Sequence, residues 1–307
     1  MSLIVIEGFP IGWDGNLSQP DSSRWYYLGK WDVAWFQVNT GSPSSGRHSG
    51  YGASRGDGAL EGEGVMLGKH LSADQKDDYL VIGYACPAGA RTQDEIVLLG
   101  DNAGTEHLTL RRIGANYEVW RGTSSRGDLI GMSSRLPNPT SDWQYTEFVT
   151  RLSDTDGVVE VWVDGVCVMN QTGINTSNGG VDQTFDYIQF ITQNLDDIYI
   201  LNEQGSVNNS RIGDCRIETY TTGTMSLSAD EQIIGVQQWA YAKKSDVGPC
   251  NLAFTVASPY GRTVGSGQPL NTTEANYVGI WDVDPTTGIP WNADNLAEAE
   301  FGFEVRS

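Results

Sequence analysis

Residues 154–173, DTDGVVEVWVDGVCVMNQTG, hold two valine-rich runs joined by a single Asp164-Gly165. An Asp-Gly pair between apolar runs is the strongest local signal for a two-residue type I′ turn, because both central residues must take positive φ. That turn pairs Val163 with Val166, Trp162 with Cys167 and Val161 with Val168. Side chains alternate along a strand, so Val159, Val161, Val163, Val166 and Val168 share one face. The other face carries Glu160, Trp162, Cys167 and Met169. An all-valine face belongs in a core, whereas the mixed face is free to meet solvent, a ligand or another subunit.

The same period recurs along the chain. LIVIEGF, VMLGKHL, DYLVIGYAC, EIVLLGD, HLTLRRIG, YEVWRGT, YTEFVTRLS, FDYIQFIT and DDIYILN all read as strands, with Gly, Asn, Asp, Ser or Pro at most joins. No long stretch shows a 3.6-residue apolar period. The helical candidates are SADQKDDYL over 72–80 and NADNLAEAE over 292–300. The pattern predicts an all-β fold, a lectin-like antiparallel sandwich of two sheets over residues 1–220. The small, polar stretch TYTTGTMSLSA over 219–229 reads as a linker. Beyond it, IIGVQQWAYAKK, NLAFTVASP, YVGIWDVD and AEFGFEV form a smaller C-terminal β region over 221–307.

Composition narrows the function. The 307 residues carry a formal net charge of −20, which argues against nucleic-acid partners because phosphate recognition needs a basic footprint. No apolar run approaches the ~20 residues of a membrane span, and MSLIVIEGFPIGW lacks the basic start of a signal peptide, so synthesis in a cytosol is expected. Cys86, Cys167, Cys215 and Cys250 are widely spaced with no CxxC, and read as buried free thiols rather than zinc ligands.

Catalytic patterns are missing. His48, His70 and His107 make no metal-ligand spacing, and no G-x-S-x-G elbow or paired glycosidase carboxylates appear. The expectation is a chain that is not an enzyme and has no resident cofactor, with calcium as the one possible ion. Its candidate oxygen ligands are Asp154 and Asp156 in DTDG, and Asn194, Asp196 and Asp197 before IYILN, each also explicable as a turn or strand-end group. Aromatic side chains suited to stacking on sugar rings or to subunit contacts are Trp25, Tyr26, Trp31, Trp35 and Trp162, with Trp281 and Trp291 in the C-terminal region. Residues 41–64 read as a long Gly- and Ser-rich surface loop, and the Arg-Gly-Asp triplets at 55–57 and 126–128 read as turns.

Two stretches carry a family resemblance. The run from His107 to Gly173, with its acidic turn and VEVWVDGV, resembles laminin G-like and concanavalin A-like jelly rolls. DDIYILNEQGSVNNSRIGDCRIETY, then IIGVQQWAYAKKSDVGPCNLAF and YVGIWDVDPTTGIPWNADNLAEAEFGFEV, resemble structural proteins of tailed bacteriophages. The resemblance spans residues 105–307. It implies a virion component, foremost tail-associated as a fibre, tip or adaptor protein, that assembles as a homo-oligomer with other virion proteins. The alternatives are a host-receptor adhesin that binds surface polysaccharide, a head decoration protein, and, last, a polysaccharide depolymerase.

Overall fold

In the computed structural model the described residues are 2–7, 26–27, 37–38, 60–61, 66–87, 95–136, 143–180, 182–191, 194–205, 207–208, 210–215, 217, 232–245 and 248–306. The chain divides into two compact units, Met1–Thr219 and Tyr220–Ser307.

In the first unit the strands begin with β1 (Ser2–Glu7), β2 (Tyr26–Tyr27), β3 (Gln37–Val38), β4 (Leu60–Glu61) and β5 (Met66–His70). They continue with β6 (Tyr79–Pro87), β7 (Glu95–Gly100), β8 (Glu106–Ile113), β9 (Asn116–Arg121) and β10 (Asp128–Met132). The last five are β11 (Trp143–Arg151), β12 (Gly157–Val163), β13 (Val166–Ile174), β14 (Tyr187–Ile191) and β15 (Asn194–Asn202). One sheet runs β13-β12-β11-β6-β15-β4-β3, with β1 also on β15, and the other runs β10-β9-β8-β7-β14-β5-β2. Every pairing is antiparallel. The first unit is thus an all-β, lectin-like sandwich of jelly-roll type.

The core fills the space between the sheets. Ile82, Phe148, Val159 and Val161 from one sheet meet Leu110, Val119, Ile188 and Phe190 from the other, all buried. Each such side chain stabilises by ~1.5–3 kcal/mol on leaving water. The opening hairpin forms as its turn dictates: Asp164 and Gly165 take φ of 48° and 76°. Asp164 then ties that turn to β11, its N–H donating to the Tyr145 carbonyl and its Oδ1 accepting from the Tyr145 N–H.

The register departs from a plain hairpin after two pairs. Val163 faces Val166 and Trp162 faces Cys167, but Val161 faces Met169 because a bulge intervenes. The extra residue lets Val168 and Met169 both turn inward, while Val166 beside the turn is left exposed. Residues 72–80 are not helical. Gln75 and Lys76 donate to the Ser72 carbonyl in a single turn, and Tyr79 already begins β6, whose apolar run is claimed by the sheet. Cys86 is buried and its thiol is pushed up to about 11 by that burial, but Cys167 is exposed and Cys215 and Cys250 half-buried, with none of the four in a disulfide. Cys167 lies outward because it pairs with Trp162 on the mixed face.

One buried polar pair sets an expected pH response. His107 and Asp101 are both fully buried, with His107 Nε2 3.4 Å from Asp101 Oδ2. The Asn178 N–H donates to His107 Nδ1, so a neutral ring carries its proton on Nε2, toward Asp101. Burial holds the imidazole below its ordinary range, with Asp101 opposing. A base depressed in the folded state stabilises fully above its unfolded pKa of ~6.5 and loses that contribution as pH falls below it. The unfolding free energy from urea titration is therefore expected to drop below about pH 6.5, by at most ~1.4 kcal/mol per pH unit, and His107→Gln to flatten this drop. Asp186 acts in a lower window. Burial works against its charge, yet Lys76 and the Asn102 N–H outweigh it and hold the carboxyl below the usual range.

The second unit is smaller. Its strands are β16 (Val236–Ala242), β17 (Asn251–Ser258), β18 (Gly261–Val264), β19 (Gln268–Pro269), β20 (Ala275–Trp281) and β21 (Glu300–Arg306). β16 pairs with β20, and β17 pairs with β18, β19 and β21. A single helical turn, α1 (Ala293–Ala297), is capped reciprocally by Asn292 and Asn295. Leu252, Phe254, Leu270 and Tyr277 form one part of the core, and Val256, Trp291 and Leu296 another. No described helix is long and apolar enough to cross a membrane.

Candidate functional site

The outward face of the larger sheet carries one row of polar and aromatic side chains that crosses its strands. Cross-strand pairing sets Cys167 of β13 opposite Trp162 of β12, Trp162 opposite Glu147 of β11, Glu147 opposite Gly83 of β6, and Gly83 opposite Tyr199 of β15. Directly opposed residues share a face. The row therefore crosses five strands on the side away from Phe148 and Val161.

Gly83 makes the row possible. A Cβ at this position would sit 2.1 Å from Tyr199 Cε1, so only glycine leaves room for the tyrosine ring to lie across β6. The ring reaches Glu147, whose Oε1 accepts from the Tyr199 hydroxyl. Burial, then the neighbouring Glu147 charge, raises the Tyr199 phenol far above its usual range and keeps it a proton donor. The Gly213 N–H also donates to Glu147 Oε1, at 2.8 Å.

Arg211 completes the cluster. It forms an ion pair with the buried Glu147 Oε2, and its guanidinium carbon stands 3.6 Å from the centroid of the Trp162 ring. The segment that brings it here is pinned at three further points. The Ile212 N–H donates to the Tyr199 hydroxyl, Cys215 Sγ lies 3.0 Å from the Tyr145 hydroxyl, and the Ile217 N–H donates to Asp197 Oδ1. Asp197 sits in a bulge of β15 with a positive φ of 50°, which aims its carboxylate at that segment.

Trp162 is held by a second carboxylate. Its indole N–H donates to Glu160 Oε2 at 2.8 Å, and Glu160 Oε1 lies 3.5 Å from Asn170 Nδ2. Glu160 and Trp162 are two apart on one strand and so share a face. The same Glu-Val-Trp device recurs in β9, where the Trp120 indole donates to Glu118 Oε2 at 3.0 Å. The outcome at Trp162 is a half-buried aromatic plane with a cation on it and a fixed acceptor and amide beside it.

The other sequence-derived candidates fall elsewhere. Trp25, Trp31 and Trp35 lie outside the described residues, as does the 41–64 loop apart from Leu60 and Glu61, and Tyr26 is described only as part of β2. Trp291 is buried in the second unit with its indole N–H on the Trp281 carbonyl, and Trp281 is half-buried with its own on Gln238 Oε1. Both are core residues there. Asp154 and Asp156 are exposed in a turn closed by Ser153 Oγ, beyond the Arg151 end of β11, while Asp197 is buried at its Tyr145 end. Asn194 and Asp196 are described only as β15 backbone. Among the described residues the three-carboxylate grouping is instead Asp77, Asp78 and Glu203, with ligand atoms within 4.8 Å of one another. There the Arg151 guanidinium already pairs with Asp78 and Glu203, and both Asp77 oxygens accept backbone N–H groups. Burial, then Asp77, raises the Asp78 carboxyl.

No family model matches the chain, and no curated protein matches it. Solved structures do. Alginate lyase Aly36B is matched at 13% identity over 55% of this chain and 97% of the lyase, with a TM-score of 0.33. A carbohydrate esterase from Shiga toxin-encoding bacteriophage phi24B is matched at 10% identity over 65% of this chain and 100% of the esterase, TM-score 0.35. The receptor-binding domain of botulinum neurotoxin mosaic serotype C/D is matched at 9% over 60% of this chain and 44% of that chain, TM-score 0.38. Identities this low carry no activity across. The expectation that the chain is not an enzyme is nevertheless corrected: a lyase and an esterase stand among the proteins it is similar to. The missing motifs were sequence-local, whereas Glu147, Tyr199 and Arg211 meet only in the folded sheet.

Proposed function

We propose that the chain is a carbohydrate-binding protein of a tailed-phage particle, with the Trp162 face of its sandwich as the glycan platform. The observation that carries the binding part is the Trp162 plane fixed by Glu160 and Arg211, with Asn170 alongside. Sugar rings present an apolar C–H face and a hydroxyl rim. Arg211 already covers one face of the Trp162 indole, so a sugar ring would pack on the remaining exposed part of the indole, with the Glu160 carboxylate and Asn170 amide alongside for its hydroxyls. The particle part is supported by the sequence resemblance of residues 105–307 to tailed-phage structural proteins. A glycan platform serves a particle where it meets the cell, which favours the tail over head decoration and makes host surface polysaccharide the ligand class.

Titration with host surface polysaccharide is expected to give saturable binding that Trp162→Ala weakens at least tenfold, about 1.4 kcal/mol, while the melting curve keeps its shape. Equal affinity in both proteins would remove Trp162 from the site. Following reducing ends in the same titration reports turnover. Gold-labelled antibody on intact particles is expected to mark the tail; label over the head would make the chain a decoration protein, and unlabelled particles would overturn the virion reading.

A further inference from the structure

Strand β21 pairs only with β17 among the described residues and leaves its other edge open. The register Phe301↔Val256, Phe303↔Phe254 and Val305↔Leu252 puts all six on one face. The β17 members are buried, but Phe301, Phe303 and Val305 are 38%, 64% and 56% exposed. An edge strand that leaves three apolar side chains exposed on one face, with no proline, lysine or bulge, can template another strand where its charges are matched.

The sequence of this edge, EFGFEVR, selects its partner. Antiparallel pairing of two copies about Phe303 sets Phe303 against Phe303, Phe301 against Val305, and Glu300 against Arg306 twice over. Sliding by two residues in either direction sets Glu300 against Glu304 or Glu304 against itself. Sliding by one opposes residues from different faces. Parallel pairing stacks like charges, Glu300 on Glu300 and Arg306 on Arg306. Only the register centred on Phe303 opposes all seven residues while joining Phe303 to Phe303, Phe301 to Val305 and Glu300 to Arg306, with the side-chain-free Gly302 facing Glu304 between them. Glu300 and Arg306 are both exposed, and the Arg306 Nε–H donates to Glu304 Oε1 at 2.7 Å on its own strand, so its remaining guanidinium N–H groups are the ones that would meet Glu300 of a second copy.

We propose that β21 is a self-association edge, through which two copies of this chain continue the β17 sheet about a two-fold axis at Phe303. Such an interface is isologous, so each change enters twice. The inference is independent of glycan binding, which is read by titration in the same proteins.

Sedimentation of the full chain over a concentration series is expected to show dimer by ~100 μM, well above the Kd of any micromolar interface. Phe303→Lys, at a solvent-facing position, is expected to give monomer with an unchanged far-ultraviolet spectrum. Glu300→Arg is expected to weaken the dimer at least tenfold, and adding Arg306→Glu to restore it. A wild-type chain that stays monomeric throughout overturns the proposal. So does a dimer indifferent to Phe303→Lys, which places the contact elsewhere. Failure of the charge exchange to restore a dimer broken by Glu300→Arg overturns the register.

Discussion

Glu147→Ala is expected to destabilise the sandwich unit by about 3 kcal/mol, the lower end of what removing one partner of a buried ion pair costs. The carboxylate is 1% exposed and accepts from Tyr199, Gly213 and Arg211 together. Truncation leaves a buried phenol and a backbone N–H without an acceptor, each a loss of about 1–3 kcal/mol. The lower figure applies because the Arg211 side chain is 24% exposed and can recover water. The measurement is the urea midpoint of the full chain at unchanged slope. A loss under ~1 kcal/mol would mean that water already replaces these contacts.

The same substitution has a local readout. Arg211 is held by Glu147 and Trp162, so trypsin is expected to spare it in the native chain and to cleave after it once Glu147 is gone. Glu147→Gln keeps an acceptor for Tyr199 but removes the charge that holds Arg211, and is expected to fall between the two. Because Arg211 lies on Trp162, loosening it also disturbs the proposed platform. A drop in glycan affinity alongside the new cleavage would tie the segment to binding.

The sandwich was legible from period-two patterns and from Asp164-Gly165, because alternation and positive-φ chemistry are local. What the hairpin did not disclose was its bulge. With Val168 and Met169 adjacent and both apolar, hydrophobicity alone does not say which one faces in, and the structure buries both. Residues 72–80 looked helical because SADQKDD is polar and rich in capping groups, yet the apolar run after it was already committed to β6. In the site, Trp162 was readable as an outward aromatic. Its partners were not. Tyr199 lies 52 residues from Glu147 and Arg211 lies 64, and no local pattern encodes a cross-sheet row. One usable signal was overlooked: Glu-Val-Trp occurs at 118–120 and 160–162, a spacing that lets an indole donate to a carboxylate on its own face. Trp291 is buried and Trp281 half-buried against the second unit's own core, and a tryptophan near a chain's polar turns reads the same in sequence whether it lines an interface or fills a small core.

Gly83→Ala tests that row from its backbone side and is expected to cost about 2–4 kcal/mol, an overpacking penalty plus the loss of a hydrogen bond to a charged group. The added methyl would lie 2.1, 2.5 and 2.6 Å from Cε1, Cδ1 and Cζ of Tyr199. The ring has little room to retreat: Tyr145 is stacked on it at 6.3 Å between centroids, and its hydroxyl is tied to Glu147 and to the Ile212 N–H. To admit a methyl, Tyr199 must swing off Glu147, and that removes the same bond that Glu147→Ala removes. The two substitutions share one mechanism, so their costs should not add. In a double-mutant cycle Gly83→Ala is expected to cost at least 1 kcal/mol less in the Glu147→Ala background than in the wild type, where distant pairs add within ~0.5 kcal/mol. Additive costs would show that Tyr199 accommodates the methyl without leaving Glu147, and the row would then be two independent contacts instead of one unit.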